Sequence, residues 1–332
     1  MFVTARNSEN LTPFAGSELY KEFAPDTLEV ERPGTHQILL EDEPSARCSL
    51  WWRDVPSDPR LGASRGQKLG VIGHYAARNA RAAEQLLLHA CGILAANGCK
   101  LAVGPMNGNT WRRYRFVTER GEEPPFFLEP DHPESYPEQW RSAGFTALAT
   151  YSSSLQTDLV QASGSRERIL ARIRRAGIVL RPLRMEAIED ELRAIYRVTV
   201  ESFRKAFLYT PIPEAEFVEM YRAVLPYVRP ELCIVAEADR LLGYSFTLPD
   251  VRKKERGETV DTVIFKTLAV VPQAAGRGLG SAMVDHTLEV AHTLGFKRAI
   301  HALMHEDNVS QTMSRRYRSK PIRRYALFAK QL

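Results

Sequence analysis

The sequence predicts an α/β (α+β) protein made of two similar domains in tandem. Its 332 residues correspond to about two domains of roughly 150 residues each. Short apolar runs of strand type alternate with longer stretches that have helical spacing. Late in each half a strand leads into a long helix, then a short glycine-containing turn and another apolar strand, and the two turns are Asn97-Gly98-Cys99-Lys100 and Leu294-Gly295-Phe296-Lys297. We therefore predict domains over 1–158 and 177–332, joined by a linker helix over 159–176.

The composition is that of a folded globular chain. A hydrophobic fraction of 44% with 26% charged residues excludes disorder of the whole chain. No stretch approaches the ~20 apolar residues of a membrane helix, and the first residues lack a signal-peptide pattern. We expect a cytoplasmic protein without a membrane partner. The four cysteines show no Cys-x-x-Cys pair of a zinc site, so we expect no metal site; they are Cys48, Cys91, Cys99 and Cys233.

Local signals predict the elements of the first half. The first thirty-odd residues are polar and proline-containing, and we predict an irregular arm with one short helix. Apolar positions three and four residues apart predict a long helix over 79–96, which Asn97-Gly98 ends. Turn-rich segments separate the predicted strands, which cover 36–40, 46–52, 68–75, 100–103 and 144–155. A short helix is predicted at 135–143, and the charged amphipathic segment 165–176 predicts a connecting helix with a solvated face.

The second half alternates in the same way. Helices are predicted over 187–206, from Pro213, over 279–294 and over 308–317, and Gly295 ends the third of these. The strands between them are predicted at 178–184, 232–236, 242–248, 259–271, 298–304 and 322–329.

The most specific motif is a glycine-rich turn between a strand and a helix. The segment runs from Leu268 to Met283 and contains Ala275-Gly276-Arg277-Gly278-Leu279-Gly280-Ser281. The first turn of a helix presents unpaired backbone N–H groups and partial positive charge, and glycines let phosphate oxygens approach them. The segment lacks the Walker lysine and the G-x-G-x-x-G spacing of dinucleotide sites. The alternative, a turn that only caps the helix, requires fewer glycines.

This segment resembles the acyl-CoA signature of the GNAT (Gcn5-related) N-acyltransferase superfamily, Gln/Arg-x-x-Gly-x-Gly/Ala. The resemblance covers 177–332 clearly and 36–157 more faintly, and it implies two tandem GNAT-like domains, each a mixed, mostly antiparallel sheet flanked by helices. It implies that acetyl-CoA is the co-substrate. The residues that it assigns to acyl-CoA binding are Leu268, Ala269, Val270, Ala275, Gly276, Arg277, Gly278, Leu279, Gly280, Ser281 and Asn308.

Two positions depart from the family pattern. Ala275 stands where the signature has Gln or Arg, although Gln273 lies two residues upstream. The tyrosine that often protonates the departing thiolate is replaced by Arg315. Ser314 takes that place if the helix is one residue shorter, and Tyr317 is the nearest tyrosine.

The family chemistry also needs an oxyanion donor and a proton acceptor. We expect the backbone N–H of Val270 to be the oxyanion donor. Candidate proton acceptors are Glu258, Asp261 and His301, and each has a structural alternative as a solvated or packed side chain. An acceptor pocket is expected beside Thr210-Pro211-Ile212-Pro213, with a wall of Phe203, Phe207 and Tyr209, and the loop Phe126-Phe127-Leu128-Glu129 could reach the same cleft.

The first half keeps the architecture without the signature. Its corresponding loop is Arg78-Asn79-Ala80-Arg81-Ala82-Ala83, where Arg81 and Ala83 replace glycines. We interpret this domain as degenerate, although Arg81 could itself pair with a phosphate in a non-standard site.

The sequence thus predicts an acyltransferase that moves an acetyl or short acyl group to an amine in a ternary complex. One alternative is an acyl-CoA-binding protein without turnover. Another is a nucleic-acid-associated protein that uses a basic tail, although a net charge of +5 is weak support for it. The tail contains Arg315, Arg316, Arg318, Lys320, Arg323, Arg324 and Lys330, which could instead hold the 3′-phosphate of CoA or simply face solvent. We expect a monomer or a homodimer.

Overall fold

The computed structural model describes residues 1–22, 34–61, 68–160, 166–307 and 309–332. Its strands are β1 (Phe2–Ala5), β2 (Thr35–Leu40), β3 (Pro44–Trp51), β4 (Leu69–Ala77), β5 (Leu101–Gly104), β6 (Phe116–Glu119), β7 (Thr146–Gln156), β8 (Val179–Pro182), β9 (Ile234–Glu237), β10 (Leu241–Pro249), β11 (Thr262–Val270), β12 (Arg298–His305) and β13 (Lys320–Gln331). Its α-helices are α1 (Glu18–Glu22), α2 (Ala80–Ala96), α3 (Tyr136–Ser142), α4 (Arg166–Arg175), α5 (Ile188–Phe203), α6 (Glu214–Arg222), α7 (Arg252–Glu255), α8 (Leu279–Thr293) and α9 (Val309–Arg316).

All described strands belong to one continuous sheet. The order is β1-β2-β3-β4-β5-β13-β7-β12-β11-β10-β9-β8, and β6 pairs with β13 beside this path. Two pairs are parallel, β4 with β5 and β11 with β12, and the other neighbours are antiparallel. The predicted α/β architecture, a mixed and mostly antiparallel sheet flanked by helices, is confirmed.

The two halves exchange their last strands at the centre of the sheet. β13 from the end of the chain lies between β5 and β7 of the first half. β7 in turn pairs with β12 of the second half, with His301 opposite Ser154. The sequence did not predict this exchange, since strand order depends on contacts between distant segments. The limits 1–158 and 177–332 stay a prediction.

Each parallel pair is short, and this shapes the site. β11 and β12 pair only from Thr262–Arg298 to Phe265–His301, so from there to its end at Val270 β11 is paired with β10 but not with β12. On the other side of β11, a β-bulge between Phe246 and Thr247 of β10 leaves Lys266 with no residue opposite it in the β10–β11 ladder. The parting of β11 and β12 opens a cleft next to that bulge, which we call the β11–β12 cleft.

Two predictions for the first half need correction. The N-terminal arm contains β1, which pairs antiparallel with β2 along four residues. The segment before the aromatic loop contains β6. Both strands have four residues, too few for a period of two to be visible in the sequence.

Packing of apolar side chains covers both faces of the sheet. The inner face of α2 is fully buried through Leu86, Leu87 and Leu94. In the second half, α5 and α8 contribute Val198 and Met283 to a separate core. A third cluster spans the exchanged strands, because Leu327 of β13 packs with Val71, Val103 and Tyr151.

We predict that Leu327→Ala lowers the free energy of unfolding by about 3 kcal/mol, because it leaves a cavity between the exchanged strands. Leu327 has no exposed surface, whereas Leu88 is 52% exposed and serves as the control. Urea unfolding followed by tryptophan fluorescence measures both variants. If Leu327→Ala were as stable as Leu88→Ala, Leu327 of β13 would not be packed in the core between the exchanged strands.

Candidate functional site

The glycine turn leaves the start of α8 without a side-chain cap. Gly276 and Gly278 have left-handed backbone, with φ of 73° and 81°. The helix begins at Leu279 with Gly278 as its N-cap, and Ala282 N donates to Gly278 O at 2.9 Å. The N–H groups of the first turn therefore have no partner within the helix. An anion can bind at such a helix start.

Space around the turn is unequal on its two sides. A Cβ added at Gly276 would meet no atom within 4 Å, so the turn is open there. A Cβ at Gly278 would lie 3.2 Å from both Arg172 and Ile169 of α4. The turn therefore has free space at Gly276 and is bounded by α4 at Gly278. A phosphate group could approach it from the Gly276 side.

The glycines also indicate where the signature begins. A pattern that starts at Ala275 places its glycines at Gly278 and Gly280, and Gly280 is helical. A pattern that starts at Gln273 places them at Gly276 and Gly278, which are the two left-handed positions. The second register needs no departure from the family pattern. The alternating glycines hid this register in the sequence, because both spacings were present.

The end of β11 presents free backbone groups to the β11–β12 cleft. Val271 N donates to Leu242 O at 2.9 Å, so these two residues form a hydrogen-bonded pair. Bonded and non-bonded pairs alternate along an antiparallel ladder. The N–H groups of Val270 and Leu268 therefore point away from β10, toward the side where β12 has parted, and Ala269 bonds to β10 between them. This orientation suits the predicted oxyanion donor at Val270.

The two side chains predicted as general acids are both engaged within the fold. The Tyr317 hydroxyl is buried and donates to Asp285 Oδ1 at 2.5 Å on α8. Ser314 is 1% exposed and its hydroxyl lies 2.5 Å from that of Ser319. Asn308 lies outside the described residues. The structure thus places the Tyr317 hydroxyl against α8, next to Asp285 and the carbonyl of Ser281.

Two of the three candidates for the proton acceptor lie at the beginning of β11, and the third, His301, lies at its last parallel pair, where β12 parts from it. Glu258 and Asp261 both pair with Lys253 at the beginning of that strand, at 3.3 Å and 3.0 Å. His301 is buried, contacts Gln156 Oε1 at 3.2 Å through Nε2 and stacks on Phe265. Burial lowers its pKa to about 4, so it is a weak base at neutral pH.

A lysine that the sequence analysis missed lies at the bulge of β11. Lys266 is the first residue after the last parallel pair and is half-buried. Its ammonium donates to Leu128 O at 2.9 Å. Burial and the positive charge of Arg115 lower the pKa of Lys266 to about 7, against a smaller opposing effect of Glu129. A charged residue within the otherwise apolar run of 263–269 was the only sequence signal.

The aromatic loop at 126–129 does reach the cleft from the first half. Phe127 N donates to Asp250 Oδ1 at 2.9 Å, and the carbonyl of Leu128 accepts from Lys266. Glu129 holds the loop in place, because its buried carboxylate pairs with Arg323 Nε of β13 at 2.9 Å. This pairing leaves Lys266 outside any ion pair among the described residues.

The predicted acceptor wall lies where the two halves meet. Trp111 Nε1 donates to Thr210 O at 2.7 Å, and the Tyr209 ring packs on the same indole. The Phe207 ring lies 5.7 Å from that of His305 at the end of β12. Phe203 is instead packed against the core of the second half. Residues of the first half therefore help to form this side of the cleft.

The basic tail is largely used within the fold. Arg323 is buried in its ion pair with Glu129. Arg324 pairs with Glu119 and Glu306, and Lys330 donates to Ala143 O at 2.7 Å. The tail therefore does not form one continuous basic surface, since Arg323 is buried while Arg324 is paired at the surface.

The corresponding site in the first half is closed. The side chain of Asn79 caps α2 by accepting from Ala82 N at 2.9 Å, and Arg78 pairs with Glu43. The space between β4 and β5 is filled, because Met106 N donates to Ile72 O at 2.9 Å. A Cβ at Gly73 would overlap the Met106 carbonyl. The helix start of this half is thus capped and the space between its parallel strands is filled, whereas its interpretation as a degenerate domain stays a prediction.

Comparison with known proteins agrees with this geometry. Residues 192–313 match the family model described as acetyltransferase (GNAT) family, and no curated protein matches the chain. A glucosamine N-acetyltransferase region of a fungal multi-domain GH3 β-N-acetylglucosaminidase matches with a TM-score of 0.52 and 14% identity, over 99% of this chain and 38% of that chain. A tandem GNAT protein from the clavulanic acid biosynthesis pathway matches with 0.51 and 11% identity, over 100% and 98%. A GNAT protein from Anabaena variabilis matches with 0.54 and 10%, over 100% and 73%.

The fold over the whole chain is that of tandem GNAT proteins. Residues 192–313 match the GNAT family model, and the tandem GNAT fold extends over the whole chain, which confirms the predicted fold of two GNAT-like units. The chain spans 38% of the length of the fungal protein, and at these identities the structural likeness concerns the fold alone. Among the described residues, no helix is long and apolar enough to cross a membrane and no group of His, Cys, Asp or Glu is arranged to hold a metal ion.

We predict that stability falls as the pH drops from about 6.5 toward 4. A buried neutral histidine with a lowered pKa, such as His301, resists protonation in the folded state but not in the unfolded state. Its stabilisation is present above pH ~6.5, and about 3 kcal/mol is lost by pH 4. Urea unfolding at several pH values measures the slope.

His301→Gln keeps a polar partner for Gln156 and removes the titrating group, so its slope should be shallower. The exposed His292→Gln is the control and should keep the original slope. Equal slopes for both variants would show that His301 is not buried in its neutral form.

Proposed function

We propose that this protein transfers an acetyl or short acyl group from acyl-CoA to an amine, using the second half. The observation that carries the proposal is the uncapped, left-handed glycine turn at the end of a strand that has parted from its neighbour. It lies within the segment that matches the family model. The capped and filled counterpart in the first half supports a single site.

The proposal assigns the binding of acyl-CoA to backbone groups. The N–H groups from Arg277 to Ser281 would hold the diphosphate, with Gln273 and not Ala275 as the first residue of the signature. Leu268 and Val270 would pair with the pantetheine arm along the open side of β11. The bound thioester supplies an activated acyl carbon. The localisation in the cytoplasm stays part of the proposal.

Lys266 is the group that we propose to take the proton from the attacking amine. It lies at the bulge beside the β11–β12 cleft, half-buried and outside any ion pair among the described residues. The charge of Arg115 and burial keep part of its population neutral near pH 7. A base with a pKa near the working pH is the efficient choice. The Val270 N–H would stabilise the developing oxyanion.

The chief alternative is an acyl-CoA-binding protein without turnover. The internal hydrogen bonds of Tyr317 and Ser314 favour it, because both hydroxyls are already engaged by side chains of the fold. Release of free CoA thiol in the presence of a panel of primary amines distinguishes the two. Binding of acetyl-CoA with no amine-dependent thiol release would support the alternative.

We predict that acetyl-CoA at a hundred times its Kd stabilises the protein by about 2.7 kcal/mol, or roughly 5 °C in a thermal shift. Gly278→Glu should abolish the shift, because its carboxylate enters the anion site and its Cβ crowds α4. Gly295→Glu is the matched control, since Gly295 is also left-handed (φ 90°) but lies beyond the other end of α8.

A shift that persists in a folded Gly278→Glu protein would exclude the glycine turn as the CoA site. A shift that is absent from the native protein and from Gly295→Glu would exclude acyl-CoA binding altogether.

We predict that Lys266→Arg lowers kcat for the best amine of the panel by about a hundredfold or more, because arginine keeps the charge and cannot accept a proton. In the native protein, kcat/KM should rise with pH through about 7 as Lys266 loses its proton. The exposed Lys254→Arg is the control and should keep native rates. If Lys266→Arg kept the native rate and pH profile, Lys266 would be excluded as the group that takes the proton from the amine.

A further inference from the structure

The linker helix α4 forms a wall of the glycine turn. The guanidinium of Arg172 donates to the carbonyl of Arg277, directly before the N-cap of α8. Atoms of Arg172 and Ile169 lie 3.2 Å from the position of a Cβ on Gly278. The contact is therefore close enough that only glycine fits without a shift of α4.

Apolar side chains hold α4 at this place. Ile173 is buried in the core of the second half, and Ile169 and Leu170 pack against the same core. These residues are spaced three and four apart, so they form one face of the helix. The helix is thus docked on the second half by one face, and Arg172 is presented toward the turn.

The remaining face of α4 is strongly basic. Its charged residues are Glu167, Arg168, Arg172, Arg174 and Arg175, all exposed. Within the described part of the chain Arg172 forms no ion pair, and its side chain is exposed on the surface beside the turn. A guanidinium has five N–H donors in a planar fork, so the bond to the Arg277 carbonyl leaves donors free for an anion.

We propose that Arg172 is a diphosphate-binding residue that the linker adds to the acyl-CoA site. This inference rests on the proposed function, because it assumes that the glycine turn holds the diphosphate of CoA. The N–H groups at the start of α8 and the fork of Arg172 would contact the anion from two directions. An Arg–phosphate contact of this kind combines charge with a fixed bidentate geometry.

A blocking role for Arg172 is the competing interpretation, and the arrangement of space opposes it. Arg172 stands on the Gly278 side of the turn, whereas the space above Gly276 is open. An anion that enters from the open side meets free N–H groups and finds the guanidinium at the edge. Arg172 is therefore placed as a neighbour of the anion, with its own hydrogen bond made to a carbonyl that no anion would contact.

The test is equilibrium binding of acetyl-CoA by calorimetry to the native protein, Arg172→Met and Arg174→Met. Arg174 has the same charge, lies on the same helix, and is also exposed. We expect Arg172→Met to bind about tenfold more weakly, as for the loss of one hydrogen bond to a charged group. Arg174→Met should bind like the native protein. Thermal unfolding without ligand verifies that both variants are folded.

Shortened ligands locate the contact. Acetyl-dephospho-CoA keeps the diphosphate and lacks the 3′-phosphate, so the tenfold loss in Arg172→Met should persist. S-acetylpantetheine lacks the diphosphate, and its affinity should not change with the substitution. A loss that disappears with acetyl-dephospho-CoA would overturn the assignment to the diphosphate.

The remaining outcomes are also decisive. Equal loss in both variants would reduce Arg172 to a general contribution of charge, and native affinity in Arg172→Met would exclude the contact. Tighter binding by Arg172→Met would establish the blocking role. If the native protein does not bind acetyl-CoA, the proposed function itself is refuted. If the native protein binds and Arg172→Met binds equally well, only the role of Arg172 is refuted.

Discussion

The pairing of β13 with β5 and β7 is the constraint on which the rest of the structure depends. This last strand joins the two halves into one sheet and carries Arg323 and Tyr325 beneath the aromatic loop of the first half. Both side chains bond to buried Glu129, and their hydrogen bonds compensate the cost of removing this carboxylate from water. The loop is thereby held so that the Leu128 carbonyl meets Lys266. The pairing of β13 at the centre of the sheet thus helps to position Lys266 at the edge of the β11–β12 cleft.

The two halves show how small changes convert a shared architecture into different surfaces. In both halves a long helix connects the two strands of a short parallel pair. Asn79 closes the helix start in the first half with its side chain, whereas Gly278 leaves the helix start of the second half open. The cis peptide at Gly104-Pro105 precedes Met106, which fills the space between β4 and β5. One half therefore has the means to bind an anion beside an open strand, and the other is packed.

Local signals predicted much of the fold and the centre of the candidate site. Apolar spacing and the terminal Asn-Gly gave the position of α2, and the glycine run from Gly276 to Gly280 marked the start of α8. These features depend on residues close together in the chain. The exchange of β13 depends on pairing across more than two hundred positions, as between Phe328 and Gly104, and no local pattern encodes it. For the same reason Arg323, which looked like one member of a basic tail, proved to be buried. Lys266 was missed because its environment comes from a loop that is 138 residues distant.

The first half therefore contributes to the site without carrying an open cleft of its own. Its aromatic loop contacts Lys266 and Asp250, and Trp111 holds the Thr210 carbonyl of the segment expected to border the acceptor. Arg115 adds a second cation between the halves, because it donates to Leu303 O on β12 while stacking on Tyr114 and Tyr151. Its charge is one of the two reasons why the pKa of Lys266 is low. The first half thus sets part of the local electrostatic field at Lys266 and forms one side of the cleft.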